Sequence, residues 1–259
     1  CLTGYPTANA GLDQEAIPQD TVVINGESST DPDNQTLFYT WSISESPIGS
    51  TTSLSDTTSS TPNLLVDVAG TYTICLTVQD SDGCSSEEDC MQIEVKPQVD
   101  LHVELTWDID NSDLDVHYRA PNGTFFDFSG TAKTDCYWRN LNPDWGGNGL
   151  GEPDGIADND PILDVDNMSG FGPENINLDT LFDHSIPSRI GVHYYCNDGG
   201  GPALARIKIY VGGELEYEAT QTMNQTEYWE VADVTVSSNG TTVGITPLNN
   251  SLEAPLSFP

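Results

Sequence analysis

Positive charge is almost missing from this chain. Its 259 residues include 7 Lys and Arg against 41 Asp and Glu, a formal net charge of −34 at pH 7. Nucleic acid and anionic membrane surfaces would repel such a protein, so neither is an expected partner, whereas cations are. Long apolar runs are missing as well. No stretch of about 18 apolar residues occurs, which excludes a helical membrane span. The six cysteines include no C-x-x-C pair, which disfavours zinc-ribbon and thioredoxin-like chemistry. There is no H-E-x-x-H, G-x-S-x-G, P-loop or Rossmann glycine pattern. A glycosidase-type carboxylate pair carries no information here, because 41 acids guarantee some pair at about 5–9 Å. The expectation is a protein that is not an enzyme.

What is present argues for a folded chain. Hydrophobic residues make up 36%, with 5 Trp and 10 Tyr, more aromatic and β-branched material than a disordered acidic chain carries. Cys1-Leu2-Thr3 reads as a processed end. Cys1 admits two readings, a lipid anchor or one half of a disulfide. The even cysteine count in a β-rich acidic chain points to an oxidising compartment, hence a secreted or cell-surface location. Six N-x-S/T sequons (Asn34, Asn122, Asn167, Asn224, Asn239, Asn249) permit glycosylation there without showing it.

Residues 1–95 contain no Lys or Arg, and Lys96-Pro97-Gln98 separates two strand-like runs. The expected domains are therefore 1–97 and 98–259. In the first, short alternating runs (Thr21 to Ile24, Leu37 to Trp41, Leu64 to Val66, Gly70 to Gln79, Cys90 to Val95) lie between Gly, Pro, Ser, Asp and Asn. That is the pattern of a seven-strand β-sandwich of roughly a hundred residues. In Gly70 to Val78 the apolar face is Tyr72, Ile74, Leu76 and Val78; in Cys90 to Val95 it is Met91, Ile93 and Val95. Cys75 and Cys90 then share the opposite face of two adjacent strands and can pair across them. Cys136–Cys196 is the expected second pair, and Cys1–Cys84 a third unless Cys1 is lipidated.

The order of motifs is more specific. Ala8 to Gln14 is followed by Asn25-Gly-Glu-Ser-Ser-Thr-Asp31-Pro-Asp33, then Leu37-Phe-Tyr-Thr-Trp41, Asp67-Val-Ala-Gly70-Thr-Tyr72 and Leu76-Thr-Val-Gln-Asp80-Ser-Asp82-Gly83. Over about residues 7–96 this closely resembles the PKD (polycystic kidney disease) domain, an immunoglobulin-like module of extracellular proteins. The resemblance implies a spacer, adhesion or interaction module, with Trp41 in its core.

The second segment also reads as β, with Leu101, Val103, Leu105 and Trp107 inward and Gly212-Gly213 marking a hairpin. The expected fold is all-β: an Ig-like sandwich followed by a larger, jelly-roll-like sandwich with a long Asp/Gly-rich insertion. A structureless stretch from about 120 to 188 needs something to order it, and a disulfide with bound cations would serve. Leu105 to His117, Asp135-Cys136-Tyr137-Trp138, Asp144-Trp145, Leu163 to Asp166, Gly170 to Asn177 and Val192 to Tyr195 resemble a β-sandwich of secreted bacterial surface proteins, distantly similar to pre-peptidase C-terminal domains. That resemblance implies fold and compartment more than activity.

Three acidic sets are candidate calcium sites. Asp108, Asp110, Asp113 and Asp115 fall within eight residues, and Asp164, Asp166, Glu174 and Asn175 offer further oxygens, on one reading to the same site. Crowded carboxylates repel each other, and a hard divalent cation taking six to eight oxygens turns that cost into a gain. The second set is Glu152, Asp154, Asp158 and Asp160 around Gly155, which resembles part of an EF-hand-like loop, although Pro161 occupies the final Glu position. The third is Asp31 and Asp33 with Asp80 and Asp82, in sequences that are also ordinary turns. His117 and His193 could hold zinc, although ordinary sheet histidines are the readier explanation. Tyr137, Trp138, Trp145 and Phe171 could stack on sugars or simply pack the irregular stretch.

These observations point to a calcium-stabilised structural protein of the cell exterior. The polar tail from Pro247 to Pro259 has no reason to be ordered in a monomer, and contacts between copies would order it. The expected role is the repeating subunit of a filament, tube or surface array, a homopolymer. The alternative is an adhesin or glycan-binding module of a surface lipoprotein.

Overall fold

The computed structural model describes residues 4–126, 134–146, 155–156, 160–168, 170–181, 184–197, 201–237, 242–248 and 252–253. Every regular element among them is a β-strand, and no helix is long and apolar enough to cross a membrane. The chain divides into two compact units, Cys1–Pro97 and Gln98–Pro259.

The first unit holds β1 (Gln14–Ala16), β2 (Thr21–Val23), β3 (Phe38–Glu45), β4 (Asn63–Leu65), β5 (Gly70–Gln79) and β6 (Asp89–Val95). One sheet runs β1-β6-β5-β3, with β1 and β6 parallel, and β2 pairs with β4 in a second. The alternating residues do what their period requires. Tyr72, Ile74, Leu76, Val78, Met91, Ile93 and Val95 enter one core with Ile24, Leu64, Val66 and Trp41. Trp41 stays in that core because its Nε1–H donates to the Ser59 carbonyl at 2.9 Å. Cys75 lies directly opposite Cys90 in the β5–β6 register and is disulfide-bonded to it. Cys84 is also in a disulfide, while Cys1, its expected partner, lies outside the described residues.

The second unit begins with β7 (Leu101–Thr106), β8 (Ser112–Arg119), β9 (Asp135–Cys136), β10 (Ile162–Val165) and β11 (Glu174–Leu178). It continues with β12 (His184–Asn197), β13 (Ala203–Val211), β14 (Glu214–Met223), β15 (Tyr228–Val236), β16 (Val243–Pro247) and β17 (Leu252–Glu253). One antiparallel sheet is ordered β10-β11-β7-β13-β14, and the other β16-β15-β12-β8-β9, with β17 also on β15. Between them lies a core of Val103, Leu105, Ile176, Ile207 and Ile209 from the first sheet against Val116, Tyr118, Val192, Trp229 and Val231 from the second. The β13–β14 hairpin turns at Gly212 and Gly213, both at positive φ (56° and 84°), as a two-residue turn of this hand demands.

Strand β8 departs from a half-buried alternation. Leu114, Val116 and Tyr118 face the core, yet Asp115 and His117 on its other side are buried too. The irregular stretch supplies the cover: Phe126 and Tyr137 lie against the His117 ring, with centroids 4.5 and 4.9 Å away. A disulfide does not tie this cover down. Cys136 is a buried free thiol, contrary to the Cys136–Cys196 expectation. The register gives the reason, because Cys136 pairs with Tyr118 and Cys196 with Asp113. Five residues of strand, about 17 Å, separate those positions, and a disulfide spans less than about 7 Å between Cα atoms.

Candidate metal centre

Strand β9 pairs with β8 at Tyr118 and Arg119, so among the described strands β8 has an open edge toward its N-terminal end. Glu174, the first residue of β11, fills that edge. Its Oε2 accepts the Val116 N–H at 2.7 Å, taking the place of a neighbouring strand's carbonyl. Its Oε1 accepts from no N–H or hydroxyl among the described residues, and Glu174 is 1% exposed. Glu174, Asp113 and Asp115 each present an oxygen within 4.8 Å of the others. The exposed carboxyl of Asp166 reaches hydrogen-bonding distance of Glu174 from the end of β10.

Electrostatics make this grouping costly without a cation. Burial pushes the Glu174 carboxyl well above the usual range, and the charges of Asp115, Asp166 and Asp113 push it further against the Val116 hydrogen bond. Burial, with Asp115 beside it, also raises Asp166. Each pair of like charges about 4 Å apart costs ~4 kcal/mol at an effective dielectric of 20. Four convergent carboxylates offer up to eight oxygens, the donor set of a hard divalent cation such as calcium.

Sequence proximity misleads about the remaining acids. Asp108 is exposed and caps the Leu204 N–H at 2.7 Å, Asp110 accepts from Asn111 N–H, and Asp164 bonds Asn177 at 3.4 Å. None of the three joins a ligand-spaced group among the described residues. Asn175 is buried beside Glu174, with neither amide atom hydrogen-bonded. In the second set, Glu152, Asp154 and Asp158 lie outside the described residues, while Asp160 is buried and caps the Trp145 N–H. In the third, Asp31 accepts from Asp33 and Gln35 N–H, and Asp80 accepts from Asp82 and Cys84 N–H. Gln35 bridges the two loops to Asp82 at 2.9 Å, but these acids form no ligand-spaced group.

Next to the carboxylate cluster lies a buried polar pocket. His193 faces Asp115 in the β8–β12 register, and Asp135 from β9 bonds His117 Nδ1 at 2.8 Å. Asp135 carries no ligand signal in the sequence, because its two-residue strand gives no period by which to place it. Tyr137 and Trp145 are buried at 1% and 0% exposure and pack the irregular stretch, Trp138 is half-buried against the core, and Phe171 is exposed.

Residues 10–95 match the family model of the K319L-like PKD domain. The first unit is a PKD, immunoglobulin-like domain. No curated protein matches the chain. Among solved structures, the PKD domain of the KIAA 1837 protein is 29% identical, covering 35% of this chain and 86% of that one, at a TM-score of 0.31. The PKD domain of human KIAA0319 is 22% identical, covering 36% and 82%, at 0.30. A nucleoside hydrolase-related hypothetical protein from Saccharophagus degradans, associated with carbohydrate metabolism, is 26% identical at 0.32 over 36% of this chain and 26% of its own. The chain thus spans about a quarter of that protein's length. At these scores the structural likenesses add nothing to the family match. The second unit is a β-sandwich of general kind, without specific kinship to pre-peptidase C-terminal domains. The chain is thus a PKD, immunoglobulin-like unit followed by a larger β-sandwich.

Proposed function

We propose that the protein is a non-catalytic, calcium-stabilised structural element of the cell exterior. The observation that carries this reading is Glu174, a buried carboxylate with one oxygen that meets no N–H or hydroxyl donor among the described residues, held against Asp113, Asp115 and Asp166. Calcium binding there would replace mutual repulsion with coordination and stabilise the second unit in proportion to its occupancy. Differential scanning calorimetry of the full chain tests this. Calcium should raise the second unit's Tm and chelator should lower it, with Glu174→Gln removing most of the difference. An unchanged Tm on chelation would sink the reading.

The finer reading is a repeating subunit of a filament, tube or array. Strand β14 is a ten-residue edge that pairs only with β13 among the described strands, and such an edge is a template for strand addition. At −34 per chain, copies would need cations between them. Negative-stain microscopy in calcium and after chelation checks it. Dispersed single particles in both conditions would end the filament reading and leave the calcium reading intact.

A further inference from the structure

We propose that the second unit holds a divalent transition metal of the zinc class on Asp115, His117 and His193, with Asp135 as the positioning residue. The period of β8 puts Asp115 and His117 on one face of the sheet, and β12 brings His193 opposite Asp115. The three side chains are 0–2% exposed and each offers a ligand atom within 4.8 Å of the other two. The edges of a tetrahedral shell at zinc–nitrogen and zinc–oxygen distances are about 3.4 Å, so closure needs only side-chain adjustment.

His117 is the second, independent observation. Its Nδ1 faces the Asp135 carboxylate at 2.8 Å, a contact that in the neutral ring puts the proton on Nδ1 and the lone pair on Nε2. Nε2 is buried and has no hydrogen-bond partner among the described residues. A carboxylate behind one imidazole nitrogen and an open lone pair on the other is the arrangement that orients a metal-bound histidine. Asp135 Oδ1 and the Tyr228 hydroxyl are also buried, without a hydrogen-bond partner among the described residues. Tyr228 overhangs Gly191, the residue opposite His117; a Cβ at 191 would lie 1.8 Å from the phenol oxygen. That phenol or a water takes the fourth position.

Two nitrogen donors select against calcium and for zinc, copper, nickel or cobalt. The site is therefore distinct in kind from the carboxylate cluster, although both use Asp115. It joins β8 to β12 and, through Asp135, fixes β9 under its aromatic cover. That is the fastening the absent Cys136–Cys196 bond would otherwise provide.

The test uses the full chain, by elemental analysis as purified and by visible spectroscopy after exchange into Co2+. One transition-metal ion per chain is expected, with intense d–d bands of tetrahedral nitrogen–oxygen coordination that excess calcium does not displace. His117→Gln should abolish the bands, Asp135→Asn should weaken affinity roughly 10–100-fold, and Glu174→Gln should leave them intact. Glu174→Gln also separates this site from the calcium reading, because it strikes that cluster alone. The wild-type spectrum decides the matter even if His117→Gln fails to fold. Weak octahedral bands, metal loss to calcium, or equal uptake by His117→Gln would each overturn the proposal.

Discussion

The two units bury polar groups by opposite means. In the first, the buried Asp67 is fully used: Oδ1 accepts from Ser50 Oγ at 2.5 Å and Tyr72 Oη at 2.9 Å, and Oδ2 from Thr51 N–H at 2.7 Å. In the second, Glu174 Oε1, His117 Nε2, Asp135 Oδ1 and Tyr228 Oη are buried without such partners. Among the described residues, every buried side-chain nitrogen or oxygen lacking a partner lies in the second unit. A buried unmatched polar group costs about 1–3 kcal/mol, so several together identify a region that requires ions or water to complete it. Among the described residues, the first unit pairs its buried polar groups within the polypeptide and is cross-linked covalently; on the proposed reading, ions complete the second.

That contrast can be broken in either unit. The largest effect should come from removing calcium: at a thousandfold excess over Kd, binding contributes about 4 kcal/mol, lost by the second unit alone. A calorimetric scan that shifts the first unit equally would erase the distinction. Next is the disulfide. Replacing Cys75 and Cys90 by Ala opens a link between residues 15 apart in sequence, which should cost about 3 kcal/mol in the first unit. The chelation response of the second should not change, and denaturant unfolding followed with and without chelator measures both. Gly191→Ala follows, at about 1–3 kcal/mol, because the new methyl meets Tyr228 on the covered face of β8. Thermal unfolding should show that loss in the second unit only.

The smallest effect is a pH dependence. Burial holds His102 below its usual pKa, despite the Asn177 contact at 2.6 Å. Protonation then favours the unfolded chain, so this group's stability is present above about pH 6.5 and is lost as pH falls below it through the lower folded-state value. His102→Gln should flatten the Tm-versus-pH curve of the second unit between neutrality and mild acid, relative to wild type.

Much of the fold was legible because strand parity is local. Tyr72, Ile74 and Leu76 announce their face within one segment, and parity alone brought Cys75 to Cys90. The turn at Gly212-Gly213 was equally local. The candidate centre was only half legible. Asp113, Asp115, Asp166 and Glu174 stood out as acids, but Asp108 and Asp110 looked as good. The difference arises from sheet order, which brings the start of β11 to the open edge of β8 and leaves Asp108 to cap Leu204. Cys136 failed for the same reason: its register partner is Tyr118, and no local pattern reveals that. Non-local pairing hides such neighbours from a reading along the chain.

The Val116 amide gives the carboxylate centre a clock. Most strand amides are released to solvent when their own ladder opens. This one is held by a side chain, Glu174, rather than by a neighbouring strand's carbonyl. Its hydrogen exchange therefore follows how long that carboxylate stays in place. One resonance in an exchange experiment could then time the closing and opening of the centre, separately from the unfolding of the sandwich around it.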